Sequence, residues 1–124
     1  MPRTATEMVI AANAVVPKIT PEEARDAIAG GNVLVVDVRD APELAASGKV
    51  AGALHVSRGL LEFQADPASP AHIPAFDPEQ TVILYCGSGG RAALAGKALL
   101  DLGYRDVRNL GGLAAWVESG GAVE

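Results

Sequence analysis

The chain's single cysteine, Cys86, is followed by Gly87-Ser88-Gly89-Gly90-Arg91, a string whose residue types suit a reactive sulfur. Three glycines let the backbone curl tightly and aim successive N–H groups at one point. The residues beyond carry helical periodicity, so the loop leads into a helix N-terminus, whose partial positive charge favours a negatively charged sulfur. Arg91 adds a full positive charge to the same rim. A cation in the first helical turn opposes the helix dipole, so it requires a compensating anion, which a thiolate or an anionic substrate supplies. The competing reading of Cys86 is a small buried hydrophobe, the ordinary position of an unpaired cysteine. The glycine-rich string directly after it favours the reactive reading. A phosphate-binding loop is a poorer match, because the string lacks both a Gly-Lys-Ser/Thr ending and a Gly-x-Gly-x-x-Gly pattern.

Cys86 needs an element to hold it, and residues 81–85 read as a buried strand that delivers it directly. Residues 91–102 read as the helix that follows, with a stripe of Leu94, Ala95, Ala98, Leu99 and Leu102 and a stop at Gly103. A second buried strand, 33–36, places Asp37 and Arg39 just past its carboxyl end. In open α/β sheets ligands bind beyond the carboxyl ends of strands, where both Cys86 and Asp37 fall.

The remaining elements alternate in kind. Thr20-Pro21-Glu22-Glu23 is a capping box that opens a helix ending at Gly30-Gly31. Asp40-Ala41-Pro42-Glu43 repeats that chemistry, with Ser47-Gly48 as the stop. Residues 53–56 read as a short strand, 58–65 as a brief helix, 107–110 as a last strand and 111–117 as a last helix with Trp116 in the core. Four prolines, Pro67, Pro70, Pro74 and Pro78, make 66–78 a surface loop. Residues 4–14 read as a first helix with Met8, Ala11, Ala12 and Val15 along one stripe, an accessory cap or a dimer contact stopped by Pro17. The expected architecture is α/β, a mostly parallel central sheet with helices on both faces. Residues 1–17 form an N-terminal helical extension and 18–124 the domain proper.

Composition narrows the function classes. Apolar residues make up 49% of the 124-residue chain and aromatic ones 4%, which predicts one domain with an aliphatic core. A formal charge of −5 argues against nucleic acid and anionic membrane as partners, since phosphate contacts need clustered Lys and Arg. An anionic substrate must therefore be attracted locally. One cysteine forbids an internal disulfide and fits a reducing compartment, which predicts a cytoplasmic protein. The apolar stretch 8–16 is interrupted by Asn13, so neither a signal peptide nor a membrane span is expected. His55 and His72 lack ligand-like spacing, and neither a metal nor another cofactor is expected, although His72 lies in a loop able to approach a pocket mouth.

The strand, Cys86-Gly87-Ser88-Gly89-Gly90-Arg91 and helix resemble the active-site loop of rhodanese-like sulfurtransferases. Asp37-Val38-Arg39 with Glu43 is similar to that family's Asp-x-Arg segment, and Gly111-Gly112 with Trp116 to its closing Gly-Gly-x-x-x-Trp, so the likeness spans 20–120. The chain departs at Gly48-Lys49-Val50-Ala51-Gly52-Ala53, where the family usually reads Gly-His-Ile-Pro-Gly-Ala. The resemblance implies that Cys86 attacks a sulfane sulfur, becomes a persulfide and hands the outer sulfur to a thiophilic acceptor. It implies Arg91 as a second catalytic residue, the backbone of Gly87, Ser88, Gly89 and Gly90 as the substrate cradle, and Asp37 and Arg39 as braces behind it. The opening Cys-Gly-Ser-Gly is similar to the loop of mercaptopyruvate sulfurtransferases, where the serine hydrogen-bonds near the nucleophile; a plain turn serine is the other reading of Ser88.

Donors implied are thiosulfate, polysulfide and 3-mercaptopyruvate. Thiosulfate fits least, because only small neutral residues separate Cys86 from Arg91. With no second cysteine the acceptor is external: cyanide, a thiol or a partner protein. Related cysteine phosphatases have Cys-x-x-x-x-x-Arg, one residue longer, which would put Ala92 at the arginine position. The rival expectations are a non-catalytic rhodanese-like module that binds a partner or senses sulfide, and a cysteine phosphatase or arsenate reductase.

Overall fold

The computed structural model describes residues 2–124. The apolar runs become the strands Val33–Asp37 (β1), Leu54–His55 (β2), Thr81–Cys86 (β3) and Asp106–Gly112 (β4). Between and around them lie the helices Ala5–Asn13 (α1), Pro21–Gly30 (α2), Ala41–Ser47 (α3), Leu61–Ala65 (α4), Gly90–Asp101 (α5) and Leu113–Glu118 (α6). The capping box at Thr20 forms: its hydroxyl accepts from the Glu23 N–H at 3.1 Å, and its own N–H donates to Glu23 Oε1 at 2.8 Å. Thr4 and Glu7 do the same at the start of α1.

All strand pairs are parallel, in the order β2-β1-β3-β4. The chain adds β2 on one side of β1 and β3 on the other, so the strand order reverses between β1 and β3, where α/β sheets open a crevice. Alternation along β3 turns Val82, Leu84 and Cys86 toward a core under α1, α4 and α5. Ile83 and Tyr85 turn toward a second core closed by Ala24 of α2 and by Leu113 and Trp116 of α6. The sheet is thus covered on both faces, as expected of a strand set with so little polar surface.

Several boundaries move, each toward the site. Cys86 and Asp37 are the last residues of β3 and β1 rather than the first residues beyond them. Strand β4 runs past the expected 107–110 into the glycines, and α6 starts at Leu113 instead of 111. The cause is a register shift: Leu84 pairs with Asn109 but Tyr85 pairs with Gly111, so Leu110 is skipped. Gly111 takes φ +93° at this bulge, which an L side chain rarely adopts.

The buried faces of α1 and α5 also differ from their sequence stripes. Of Met8, Ala11, Ala12 and Val15, only Ala12 is fully buried; Met8 and Val15 are 48% and 53% exposed, and Val16 takes their place in the core. Val16 sits over Gly96 of α5, where an added Cβ would lie 2.8 Å from a Val16 methyl. Covered by the sheet on one side and by α1 on another, α5 buries Ala92, Ala93, Ala95, Gly96 and Leu99, a wider band than a one-sided stripe predicts. After α1 the chain lies along the outer edge of β4. The Asn109 N–H donates to Pro17 O at 2.8 Å, and the Ile19 N–H to Asn109 O at 3.0 Å.

Candidate active site

Cys86 is 1% exposed, and its Sγ accepts the Gly89 N–H at 3.0 Å. Of the converging N–H groups expected in the loop, Gly89's is the one within hydrogen-bond distance of the sulfur. Gly89 has φ +99°, which reverses the chain so that Gly90 can open α5. Gly87 and Ser88 form the exposed crest of the loop.

The loop is fixed from beneath by β4. Asn109, 3% exposed, donates from Nδ2 to Gly89 O at 3.1 Å and accepts the Gly111 N–H on Oδ1 at 2.8 Å. One buried amide thus ties the loop to the bulge. Gly112 makes the closest approach: a Cβ there would lie 2.2 Å from Gly87 O, so backbone meets backbone. Asn109 belongs to no motif read from the sequence; an amide two residues before the Gly111-Gly112 pair is the one local signal it offers.

Arg91 projects sideways rather than over the sulfur's hydrogen bond to Gly89. Its Nη1 and Nη2 donate to Glu43 Oε1 and Oε2 at 2.7 and 3.0 Å, a bidentate pair linking α5 to α3. The anion that the cation's position demanded is therefore supplied by Glu43. The Arg91 guanidinium, followed by the Asp40 N–H, holds the Glu43 carboxyl down at about 2. The pair packs against Gly87, whose missing Cβ would fall 3.3 Å from Arg91 Nη2.

Asp37 and Arg39 form a buried ion pair, 0% and 3% exposed, behind β3. Arg39 Nη2 donates to Asp37 Oδ2 at 2.8 Å, and the Tyr85 hydroxyl donates to the same oxygen at 2.6 Å. Burial pushes the Asp37 carboxyl up, but the hydrogen bonds from Arg39 and Tyr85 outweigh it and leave it below its ordinary value. The Tyr85 hydroxyl accepts the Val50 N–H at 2.9 Å, and Arg39 Nη1 donates to Ser47 Oγ at 2.9 Å. The network thereby locks the residue preceding Cys86 to α3 and to the 48–53 turn. Lys49, at the family's histidine position, closes that turn by donating to Ala53 O at 2.8 Å.

Two clefts flank the loop. One of about 610 Å³ lies between α3 and α6, with Gly87 on its wall and Ala46, Leu113, Ala114 and Val117 giving an apolar lining. The other, about 220 Å³, lies on the α1 side against residues 88–90. His72 lines neither; its ring nitrogen meets Phe76 O at 3.0 Å within the proline-rich loop. His55 likewise meets a backbone carbonyl, that of Arg39, at 2.6 Å. Trp116 is core, 4% exposed, with Nε1 donating to Ala122 O at 2.9 Å.

Two outcomes are expected from this geometry. Gly112→Ala should displace the Cys86 loop and destabilise the fold by about 1–3 kcal/mol, the usual cost of overpacking, read by denaturant unfolding. Slowed alkylation of Cys86 should accompany it. Glu43→Gln should cost under about 1 kcal/mol near neutral pH, since the Arg91 pair is over one-third exposed. The Glu43 carboxyl lies lower folded, at about 2, than its ordinary 4.5, so its contribution is present above 4.5 and fades as pH falls toward 2. The wild-type and variant stabilities should converge across that window.

Comparisons with known proteins agree with this arrangement. The rhodanese-like domain family model matches residues 20–119. A human thiosulfate:glutathione sulfurtransferase is 32% identical over 110 residues, covering 82% of this chain and 94% of the human one. A Rhodopseudomonas palustris protein of unknown function, described as a "possible tyrosine phosphatase", superposes with a TM-score of 0.91 at 35% identity, covering 100% of this chain and 96% of that one. The polysulfide-sulfur transferase homodimer of Wolinella succinogenes gives a TM-score of 0.74 at 34% identity, with 94% and 83% covered. With the family model spanning the sheet, the Cys86 loop and the closing glycines, the chain belongs to the rhodanese-like domain family.

Proposed function

We propose that the chain is a sulfurtransferase in which Cys86 carries a sulfur atom from a small donor to an external acceptor. The observation that carries this reading is the Gly89 N–H held 3.0 Å from Cys86 Sγ at the carboxyl end of β3. In the first half-reaction the Cys86 thiolate attacks the sulfane sulfur of the donor. With thiosulfate, a bond forms between Sγ and that sulfur, the donor's S–S bond breaks, and its electron pair leaves with sulfite. The persulfide then carries one negative charge on its outer sulfur, which the unpaired N–H groups at the start of α5 stabilise as an oxyanion hole stabilises oxygen. In the second half-reaction a thiolate or cyanide attacks the outer sulfur, and the electron pair of the broken S–S bond returns to Cys86.

Gly87, Ser88, Gly89 and Gly90 supply the cradle, and Arg91, paired with Glu43, anchors its rim. Asp37 and Arg39 position the strand end from behind. The acceptor is a thiol, cyanide or a protein partner, because no second cysteine can resolve the persulfide internally. Among the described residues no helix is long and apolar enough to cross a membrane. One unpaired cysteine suits the reducing cytoplasm.

The phosphatase description of the Rhodopseudomonas protein makes phosphate the main rival substrate. Two features weigh against it here. The loop arginine is engaged by Glu43, and the loop from Cys86 to Arg91 is one residue shorter than the phosphatase spacing, with Gly112 packed directly against Gly87. Thiocyanate release from cyanide with thiosulfate, polysulfide or 3-mercaptopyruvate tests the reading. Turnover should follow two-step exchange kinetics and fall by at least about a thousandfold in Cys86→Ser, as for loss of a covalent nucleophile. Cys86-dependent hydrolysis of a phosphoaryl ester, without thiocyanate release, would overturn it.

A further inference from the structure

The two clefts beside the Cys86 loop differ in charge. The larger one includes Glu118, which forms no ion pair among the described residues, while its Glu43 is paired with Arg91 and its Arg39 with Asp37. The smaller one is lined by Lys18, Asn13, Ser88 and Asn109 together with loop backbone, and includes no carboxylate. Among the described residues Lys18 forms no ion pair, whereas Arg39, Arg58 and Arg91 are all paired. In a chain of formal charge −5 it is an unspent cation beside the glycine loop.

Its placement is built rather than incidental. Lys18 bridges to Asn109 in parallel register, so the two side chains emerge on the same side. Asn109 Nδ2 holds Gly89 O at 3.1 Å, and the Gly89 N–H holds Cys86 Sγ at 3.0 Å. Asn13 at the end of α1 approaches the same amide, its Oδ1 3.5 Å from Asn109 Nδ2. A short relay of backbone and amide contacts therefore fixes the Lys18 backbone with respect to the sulfur, and its exposed side chain lines the cleft beside the loop. The loop itself holds no cation between Cys86 and Arg91, and Arg91 is neutralised by Glu43, so a dianionic donor finds its counter-charge from outside the loop.

We propose that the Lys18, Asn13 and Ser88 cleft binds the sulfonate end of thiosulfate, with Lys18 as the residue that sets donor specificity. This rests on the sulfur-transfer reading above. Lys18 pairs with the sulfonate oxygens, Asn13 and Ser88 hydrogen-bond to them, and the sulfane sulfur is left facing the cysteine loop. The bond changes are those of the first half-reaction, and sulfite departs from the lysine cleft. The apolar cleft on the opposite side of the loop stays free for the acceptor.

The experiment has a kinetic arm and a binding arm. Lys18→Ala should raise the ratio of the thiosulfate KM to the polysulfide KM about three- to tenfold, the net worth of one ordinary hydrogen-bonded contact at an exposed side chain, because polysulfide lacks the sulfonate. Lys18→Glu should raise it further, and Lys18→Arg should restore most of it. In the binding arm thiosulfate is titrated into Cys86→Ser protein and followed by amide shifts at Lys18, Ser88, Gly89 and Gly90. Those shifts should disappear when Lys18→Glu is added. An unchanged KM ratio, or shifts that persist without Lys18, would overturn the assignment. Lys18-dependent shifts in a protein that never loads sulfur would leave the cleft standing and refute the transfer reading alone.

Discussion

Backbone meets backbone where Gly112 of β4 passes the Gly87 carbonyl, so close that a Cβ on Gly112 would lie 2.2 Å from that oxygen. This contact sets the size of the Cys86 loop. Because the floor cannot drop, the loop turns within a few residues, Gly89 takes a left-handed conformation, and its N–H comes to Sγ. The bulge at Leu110 brings Gly111 and Gly112 into this position, and Asn109 ties bulge and loop together from opposite ends of one amide. A loop held this tightly keeps the Gly89 N–H on the cysteine sulfur.

Charge pairing is the second organising constraint. Arg39 is neutralised by Asp37 inside the fold, and Arg91 by Glu43 at the rim, so two guanidiniums that look available in the sequence are structural ties between β1, α3 and α5. Glu43 also accepts the Asp40 N–H, which makes one carboxylate both the cap of α3 and the anchor of α5. The resulting field is uneven around the loop, with Glu118 on the α6 side and Lys18 on the α1 side.

Features written in local chemistry were legible before the structure. The capping boxes, the Cys86 string, the buried strands and the stop at Gly103 each depend on neighbours a few residues away. What escaped depends on contacts between distant segments. The buried face of α1 is not legible because Val16, beyond the helix end, fills the gap over Gly96, and a helical wheel leaves out a residue beyond the helix. Asn109 escaped because its Nδ2 holds Gly89, twenty residues away on the Cys86 loop. Arg91 was recognised as needing an anion, yet its partner lies 48 residues away on α3 and no spacing rule connects them. The Gly111-Gly112 pair was recognised by resemblance, while its physical reason, the bulge and the close pass beneath Gly87, required the register of β4.

The central claim is that Cys86 accepts and holds one sulfur atom. Intact mass of the reduced protein after exposure to thiosulfate, polysulfide or 3-mercaptopyruvate tests it most directly, with Cys86→Ser beside it. The account predicts one added sulfur on the wild type from at least one donor, none on the variant, and its complete removal by cyanide. A folded protein that gains no sulfur from any of the three donors would contradict it.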